Sequence, residues 1–340
     1  MTFQAKPFGA SPAPLMFVAK YENDSWDNGT IEPFTDLVLS PFAMCFHYGQ
    51  TVFEGLKAFR SADDQILVFR QHDNFLRMNK SLERMAMPVL PQQLWEEGLL
   101  TTLSKLTEEV PPHGEGALYI RPFVIASQPK LGVELSNEYL FLVTACQVGA
   151  YYEKNLKVKV EKEFTRAAPG GAGSAKCGGN YGGVFYPFKK AKDEGFDQIL
   201  WTDSKTHDFF EESGTMNFGF LIEGTFITPP TSDTILNGIT RKSVIQIAKD
   251  MGITVEIRPF SVSELKVAFN KGLKIEAFGM GTAAVIAPFE SITIDDINYA
   301  CYCAADATMF ELKSKLKGIQ EGNIADKYNW NTIINEYVEA

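Results

Sequence analysis

Between Gly170 and Pro187 the sequence runs GGAGSAKCGGNYGGVFYP, one lysine among seven glycines. Glycine reaches positive φ at no steric cost and weakens helix and strand interiors alike. A long helix or strand therefore does not run through this stretch, and the chain falls into a part before it and a part after it. With 340 residues there is room for two domains of about 100–200 residues each. The pattern of elements breaks slightly earlier, around GAYYEKN. Residues 1–150 are therefore expected to form a smaller N-terminal α/β domain, 151–158 a connector and 159–340 a larger domain.

Strand-like and helical runs alternate on both sides. In HDNFLRMNKSLERMAM, Phe75, Met78, Leu82 and Met85 recur at spacings of three and four, which predicts one buried helix face. QLWEEGLLTTLSKLTEEV repeats the pattern until Pro111-Pro112 stops it. GALYIRPFVIAS and EYLFLVTACQV are rich in β-branched and aromatic residues and predict strands. Beyond the glycines, QILWTD, FLIEGTFITPP, ITVEIRPF and LKIEAFGMGTAAV predict further strands. TRKSVIQIAKDMG predicts a helix ended by Gly252, and AADATMFELKSKLKGIQ a late helix. The expected class is mixed α/β in two domains.

Charge removes several functions. The net charge is −10, from 32 basic and 42 acidic residues, without a long Lys/Arg run. Neither nucleic acid nor an anionic membrane is an expected partner. No apolar run approaches the about 18–20 residues of a membrane span. The N-terminal MTFQAKPFGASPAPLMF lacks the apolar centre of a secretory signal. Five cysteines (Cys45, Cys146, Cys177, Cys301, Cys303) are odd in number and mostly scattered, so neither a disulfide framework nor a metal site is implied. The expected compartment is the cytoplasm. The pair Cys301 and Cys303 is expected on a helix, where residues two apart do not face each other.

The glycine-rich lysine fits no phosphate loop. Ala175 precedes Lys176 and Cys177 follows, which rules out a P-loop. Lys176 stands where the third glycine of a dinucleotide fingerprint belongs. The plainer reading is a surface loop with an idle lysine. The alternative starts from the tail, where GGNY leads into a helix expected from about Val184. Bare backbone lets a flat ring approach closely. A partly dry lysine can shed its proton and attack an aldehyde to form a Schiff base. Pyridoxal 5'-phosphate (PLP) chemistry needs such a lysine.

That chemistry makes demands elsewhere. The ring nitrogen needs an acidic partner, and DFFEESGTMNFGF supplies Glu211 and Glu212 before a Gly-Thr turn. The phosphate needs an arginine, hydroxyls and free N–H groups. Arg77 lies on the first amphipathic helix, Gly238, Ile239 and Thr240 stand where a helix begins, and Gly281-Thr282 follows a strand.

Taken in order, these stretches resemble the branched-chain amino acid aminotransferases, fold type IV PLP enzymes of the D-amino acid aminotransferase-like class. The resemblance is carried by HYGQTVFEGLKAFR (47–60), LYIRP (118–122), LGV (131–133), VGAYY (148–152), KCGGNYGG (176–183), ESGTMN (212–217), ILNGITRKS (235–243) and GMGTAA (279–284). It implies a barrel-like larger domain, a cofactor at the domain interface, and transfer of the amino group of leucine, isoleucine or valine to 2-oxoglutarate. It implies Lys176 as the catalytic lysine, Glu212 as partner of the ring nitrogen, with no role for Glu211, and Tyr181 at the ring oxygen. Arg77, Thr282 and the Gly238–Ile239–Thr240 backbone match the phosphate cup, and Leu236 and Thr215 line the ring. On the substrate side the matches are Phe17, Tyr48, Phe53, Tyr119, Arg121, Tyr151, Thr215, Thr282 and Ala283. Tyr119 and Arg121 share one strand face, and Arg121 suits the glutamate carboxylate. The resemblance also implies a homodimer in which a loop, expected at QPKLGVEL, completes the partner's site.

Three features depart from the pattern or stand outside it. AAVIAP follows Thr282 where some vertebrate relatives carry Cys-x-x-Cys, so no thiol switch is expected there. Asn237 stands where many relatives have proline. His47, beside Tyr48, is read as structural. Two other readings remain: another enzyme of this fold, such as a D-amino acid aminotransferase or aminodeoxychorismate lyase, or a non-catalytic binding module. A nicotinamide oxidoreductase is a distant third.

Overall fold

The computed structural model describes residues 8–149 and 154–334. The chain divides into two compact units that are not contiguous in sequence. One comprises Met1–Tyr151, Ala175–Gly179 and Gly318–Ala340, the other Tyr152–Ser174 and Asn180–Lys317. This division departs from the expected single boundary near residue 150 at two places. The lysine-bearing piece belongs to the first unit because Cys177 bridges Val52, and the Gly178 N–H donates to the Thr51 carbonyl at 3.0 Å. The C-terminal stretch belongs there because Asn331–Ile333 pairs antiparallel with Ile66–Phe69.

The first unit is built on a nine-stranded sheet among the described residues. Along its main path the order is Asn331–Ile333, Ile66–Phe69, Leu56–Arg60, Ala117–Ala126, Tyr139–Val148, Leu15–Glu22, Ser25–Trp26. Thr30–Pro33 pairs with Leu15–Glu22, and Thr51–Phe53 with Ala117–Ala126. The spine is the antiparallel pair Ala117–Ala126 and Tyr139–Val148. Helix Gln71–Arg84 buries Phe75, Met78 and Leu82, the expected stripe, and also Asn74 and Ser81. Met85 is its C-cap. The second expected helix is interrupted: Gln92–Glu96 passes into a wide π-type turn at Glu97–Thr101 before Thr102–Ser104. Gly98 in that turn lies so close to Phe17 that a Cβ there would come within 2.8 Å of the ring.

The second unit also has a nine-stranded sheet among the described residues, ordered along its main path Phe210–Ser213, Gln198–Thr202, Leu156–Glu161, Val285–Ile294, Ile275–Gly281, Asn217–Ile222, Thr225–Thr228, Val255–Ile257. FLIEGTFITPP is two strands of a hairpin rather than one. The core centres on Phe210, Phe218, Phe220 and Phe260, with ring centroids 5.2–6.2 Å apart. Burying each such ring is worth about 1.5–3 kcal/mol, and edge and tilted contacts add to it. Helix Thr308–Gln320 starts where Glu276, 3% exposed, accepts the N–H groups of Thr308 and Met309 at 3.1 and 2.9 Å. Cys301 and Cys303 precede that helix in irregular chain, so the expected helical placement is corrected. Among the described residues no helix is long and apolar enough to cross a membrane.

Candidate active site

In the first unit the site is built around Lys176. Its backbone is fully engaged: the N–H donates to Ser81 Oγ at 3.0 Å and the carbonyl accepts from Phe53 N at 3.0 Å. The bare segment is thus pinned to strand Thr51–Phe53 and helix Gln71–Arg84. The Lys176 ammonium stands 4.6 Å from the centre of the Phe53 ring. The Arg121 guanidinium stands 4.7 Å from the same ring. Arg121 also donates to the Tyr119 hydroxyl at 3.0 Å, as expected of residues two apart on one strand. Its Nε is buried and has no hydrogen-bond partner among the described residues. Gly55 makes room for this pair, because a Cβ there would lie 2.0 Å from the Tyr119 hydroxyl.

Behind this cluster lies Glu54, which the sequence reading passed over. It is fully buried and receives Arg77 on both oxygens, Nε at 2.7 Å and Nη2 at 2.8 Å, with Asn74 Nδ2 also at 2.8 Å. Burial pushes its carboxyl up, but the charge and hydrogen bonds of Arg77, the charge of Lys176 and the Asn74 amide together hold it below its usual range. Arg77 is therefore oriented by a carboxylate that stays ionised.

In the second unit Glu212 is 3% exposed. Its Oε1 accepts from Leu236 N at 2.6 Å and from Asn217 Nδ2 at 3.4 Å, and its Oε2 lies 3.2 Å from Arg166 Nε. Leu236 enters through its backbone, since its carbonyl accepts from Asn217 Nδ2 at 2.9 Å. Gly238 is the N-cap of helix Ile239–Asp250, with no side-chain cap. By helix geometry the N–H groups of Ile239 and Thr240 lack intrahelical partners. A Cβ at 238 would lie 1.7 Å from Asn217 Oδ1, so a larger residue there would displace the Asn217 side chain. Arg241, 4% exposed, ties this helix to Thr228 Oγ1 at 3.1 Å and the Pro229 carbonyl at 2.6 Å. Thr215 tips the turn between Ser213 and Met216, and Thr282 and Ala283 form the turn after Ile275–Gly281. The two turns lie at one end of neighbouring strands, since Asn217 pairs with Met280. Val285, φ 60°, closes the second turn in a conformation strained for a β-branched residue. Tyr181 lies in the single helical turn Gly179–Gly182.

Several expectations need correction. Phe17 is a core residue: it is 3% exposed and its ring is boxed by Gly29, Gly98 and Phe141. The aromatic against Tyr119 is instead Phe8, centroid to centroid 4.8 Å, which the sequence reading missed. Glu211, given no role, is buried and bonded to Thr234. Tyr151 lies outside the described residues. His47 Nε2 meets the Pro41 carbonyl at 2.9 Å, in keeping with a structural role. Ser81, Glu54 and Arg166 were missed because each acts through a partner distant in sequence. Asn217, by contrast, stood inside ESGTMN.

Each unit by itself carries donors that suit part of a phosphorylated aldehyde. The first has an amine for the aldehyde and a guanidinium for an anion; the second has a buried carboxylate and an uncapped helix N-terminus. The family model for amino-transferase class IV matches residues 51–292. A Bacillus subtilis protein named branched-chain-amino-acid aminotransferase 2 is 40% identical over 339 residues, covering 98% of this chain and 93% of the relative. Among solved structures, a T.th. branched-chain amino acid aminotransferase with pyridoxamine 5'-phosphate is 26% identical at TM-score 0.79, covering 98% of this chain and 100% of that one. The same enzyme complexed with N-(5'-phosphopyridoxyl)-L-glutamate is similar at TM-score 0.78, with 26% identity and coverages of 98% and 100%.

The Glu54 arrangement has a pH signature. A carboxyl depressed in the folded state contributes stability that is present above its unfolded value, 4.5, and lost as pH falls through the folded value. Breaking such a buried pair costs about 3–5 kcal/mol. Glu54→Gln should therefore melt well below the wild type near neutral pH. The gap should narrow on acidification below about pH 4.5, read as thermal midpoint against pH. A gap that is constant or widens in acid would contradict an ionised Glu54.

Proposed function

The chain belongs to the class IV aminotransferases, and on that premise we propose that it is a branched-chain amino acid aminotransferase. It moves the amino group of leucine, isoleucine or valine to 2-oxoglutarate, giving the branched 2-oxo acid and glutamate. The observation that carries this is the pair Tyr119 and Arg121 beside Phe53: one apolar ring face with a guanidinium over it, 4.7 Å away. Such a wall accepts an aliphatic side chain against the ring and a second carboxylate against the guanidinium. The complex of the T.th. enzyme with a phosphopyridoxyl-glutamate supports the same pairing of substrates.

PLP is the cofactor of this family. When bound, it supplies an electrophilic carbon for amines and a sink for the electrons released at the substrate α-carbon. Lys176 would bond it, and its amine would serve as the base and acid that moves the substrate's α-proton. The engaged backbone of Lys176 fixes where that amine can reach. Glu212 would partner the ring nitrogen and Tyr181 the ring oxygen. Arg77, Thr282 and the N–H groups of Gly238, Ile239 and Thr240 would hold the phosphate, and Thr215 and Leu236 would flank the ring. Tyr48, Phe53, Phe8, Tyr119 and Ala283 bound the substrate.

The protein is also read as a homodimer in the cytoplasm. Five unpaired thiols suit a reducing compartment. The segments around residues 34–48 and 128–135 are joined by the Ala43–Pro129 bridge, by Met44 N–H to the Gln128 carbonyl at 3.1 Å and by Tyr48 to the Leu131 carbonyl. They expose Phe42, Phe46, Leu131 and Leu135, with Val38 98% and Val133 88% exposed. Contiguous apolar surface of this kind marks an association site. Sedimentation at micromolar concentration should give a dimer. A monomer would remove the second copy from the account.

The activity is tested with a panel of amino donors and 2-oxoglutarate as acceptor, on wild type and Arg121→Met. Wild type should turn over leucine, isoleucine and valine well above D-alanine. Methionine keeps a long apolar stem and removes the carboxylate contact, a loss of about 2–5 kcal/mol. The 2-oxoglutarate half-reaction should then fall at least about tenfold, while the leucine half-reaction in single turnover changes much less. Equal loss in both would mean that Arg121 only supports the wall.

A further inference from the structure

Strand Phe210–Ser213 carries two adjacent buried carboxyls, and the chemistry above uses only Glu212. Glu211 is 8% exposed. Its Oε1 meets the Thr234 hydroxyl at 2.6 Å, and its Oε2 is buried with no hydrogen-bond partner among the described residues. A buried ionised oxygen without a donor is among the most unfavourable groups a fold can hold. The charged groups that bear on Glu211 are Arg166, which attracts its charge, and Asp203 and Glu212, which repel it. Arg166 is drawn to Glu212 as an ion pair, Nε 3.2 Å from Oε2 though without hydrogen-bond geometry, and its Nη2 donates to the carbonyls of Gly173, at 3.0 Å, and Thr234. Segment 234–236 is gripped by both neighbours in turn, Glu211 at the Thr234 hydroxyl and Glu212 at Leu236 N, 2.6 Å.

We propose that Glu211 is a positioning residue carried as a neutral carboxylic acid. Uncharged, it leaves Arg166 to Glu212. Through Thr234 it registers the segment whose Leu236 N–H holds the Glu212 carboxylate. Burial pushes the Glu211 carboxyl above its usual range, against the pull of Thr234 and Arg166, in keeping with this geometry. The proposal deepens the aminotransferase reading and rests on it for the role of Glu212. The protonation state of Glu211 stands apart from that reading and is tested without turnover.

The full chain saturated with PLP is melted from about pH 4 to about pH 9, as wild type and as Glu211→Gln. Glutamine keeps the shape of the acid and never ionises. A carboxyl raised in the folded state stabilises fully below its unfolded value and loses that contribution as pH rises through the folded value. Wild type and variant should melt together near about pH 4, and wild type should fall progressively below the variant as pH rises. Parallel curves, or a wild type that gains on the variant with rising pH, would overturn the neutral acid. Positioning is read from the pH titration of cofactor absorbance. Glu211→Leu, which loses the Thr234 bond, should change its proton affinity by at least about threefold, the scale of one hydrogen bond. Should that variant fail to fold, Thr234→Val removes the same bond from the other side. A titration identical to wild type in the folded variant would overturn the positioning role. Loss of transamination with these spectral results intact would count against the function and not against Glu211.

Discussion

The backbone of Lys176 cannot wander, and the constraint is met by hydrogen bonds that glycine-rich sequence does not advertise. The Lys176 N–H is taken by Ser81, its carbonyl by Phe53, and Gly178 continues the contact to Thr51. The piece Ala175–Gly179 is in effect an added edge on strand Thr51–Phe53. That strand also supplies the Phe53 ring and leads into buried Glu54, so the residue that fixes the lysine is followed by the one that fixes Arg77. A change along residues 51–55 therefore bears on the contacts of both Lys176 and Arg77.

Buried charge follows the same logic in both units. Glu54 is matched to Arg77 and Asn74, and Glu212 to Arg166, Asn217 and the Leu236 N–H. Paired and hydrogen-bonded carboxylates of this kind are strongly destabilising when one partner is removed, and this ties the site residues to the stability of the unit that carries them. Glu211 is the exception that sharpens the rule, because the cation that attracts it, Arg166, is held by Glu212.

The readable part of the fold is the part governed by local pattern. The stripe Phe75, Met78 and Leu82 predicts helix Gln71–Arg84, and the β-rich runs at 116–127 and 138–148 predict the central strand pair. The second helix failed where Gly98 opens a wide turn against Phe17, a tertiary contact with no local signature. The return of Asn331–Ile333 to the first sheet was equally invisible, since a three-residue edge strand has no period to read. Among the residues proposed for the site, those legible in short motifs are Lys176, Glu212, Gly238 and the Tyr119–Arg121 pair. Ser81, Glu54 and Arg166 were missed, because their importance lies in what they hold rather than in what they are. Phe17 was taken for a pocket aromatic because sequence cannot say which of two nearby phenylalanines, 8 or 17, meets Tyr119.

The central claim is that the pinned lysine, among all the lysines of the chain, is the one that bonds the cofactor. Borohydride reduction of the protein loaded with PLP, followed by proteolysis and mass spectrometry, tests it most directly. The account predicts a single phosphopyridoxyl label on Lys176. A label on Lys189, Lys190 or Lys192, in the helix that follows, would contradict it.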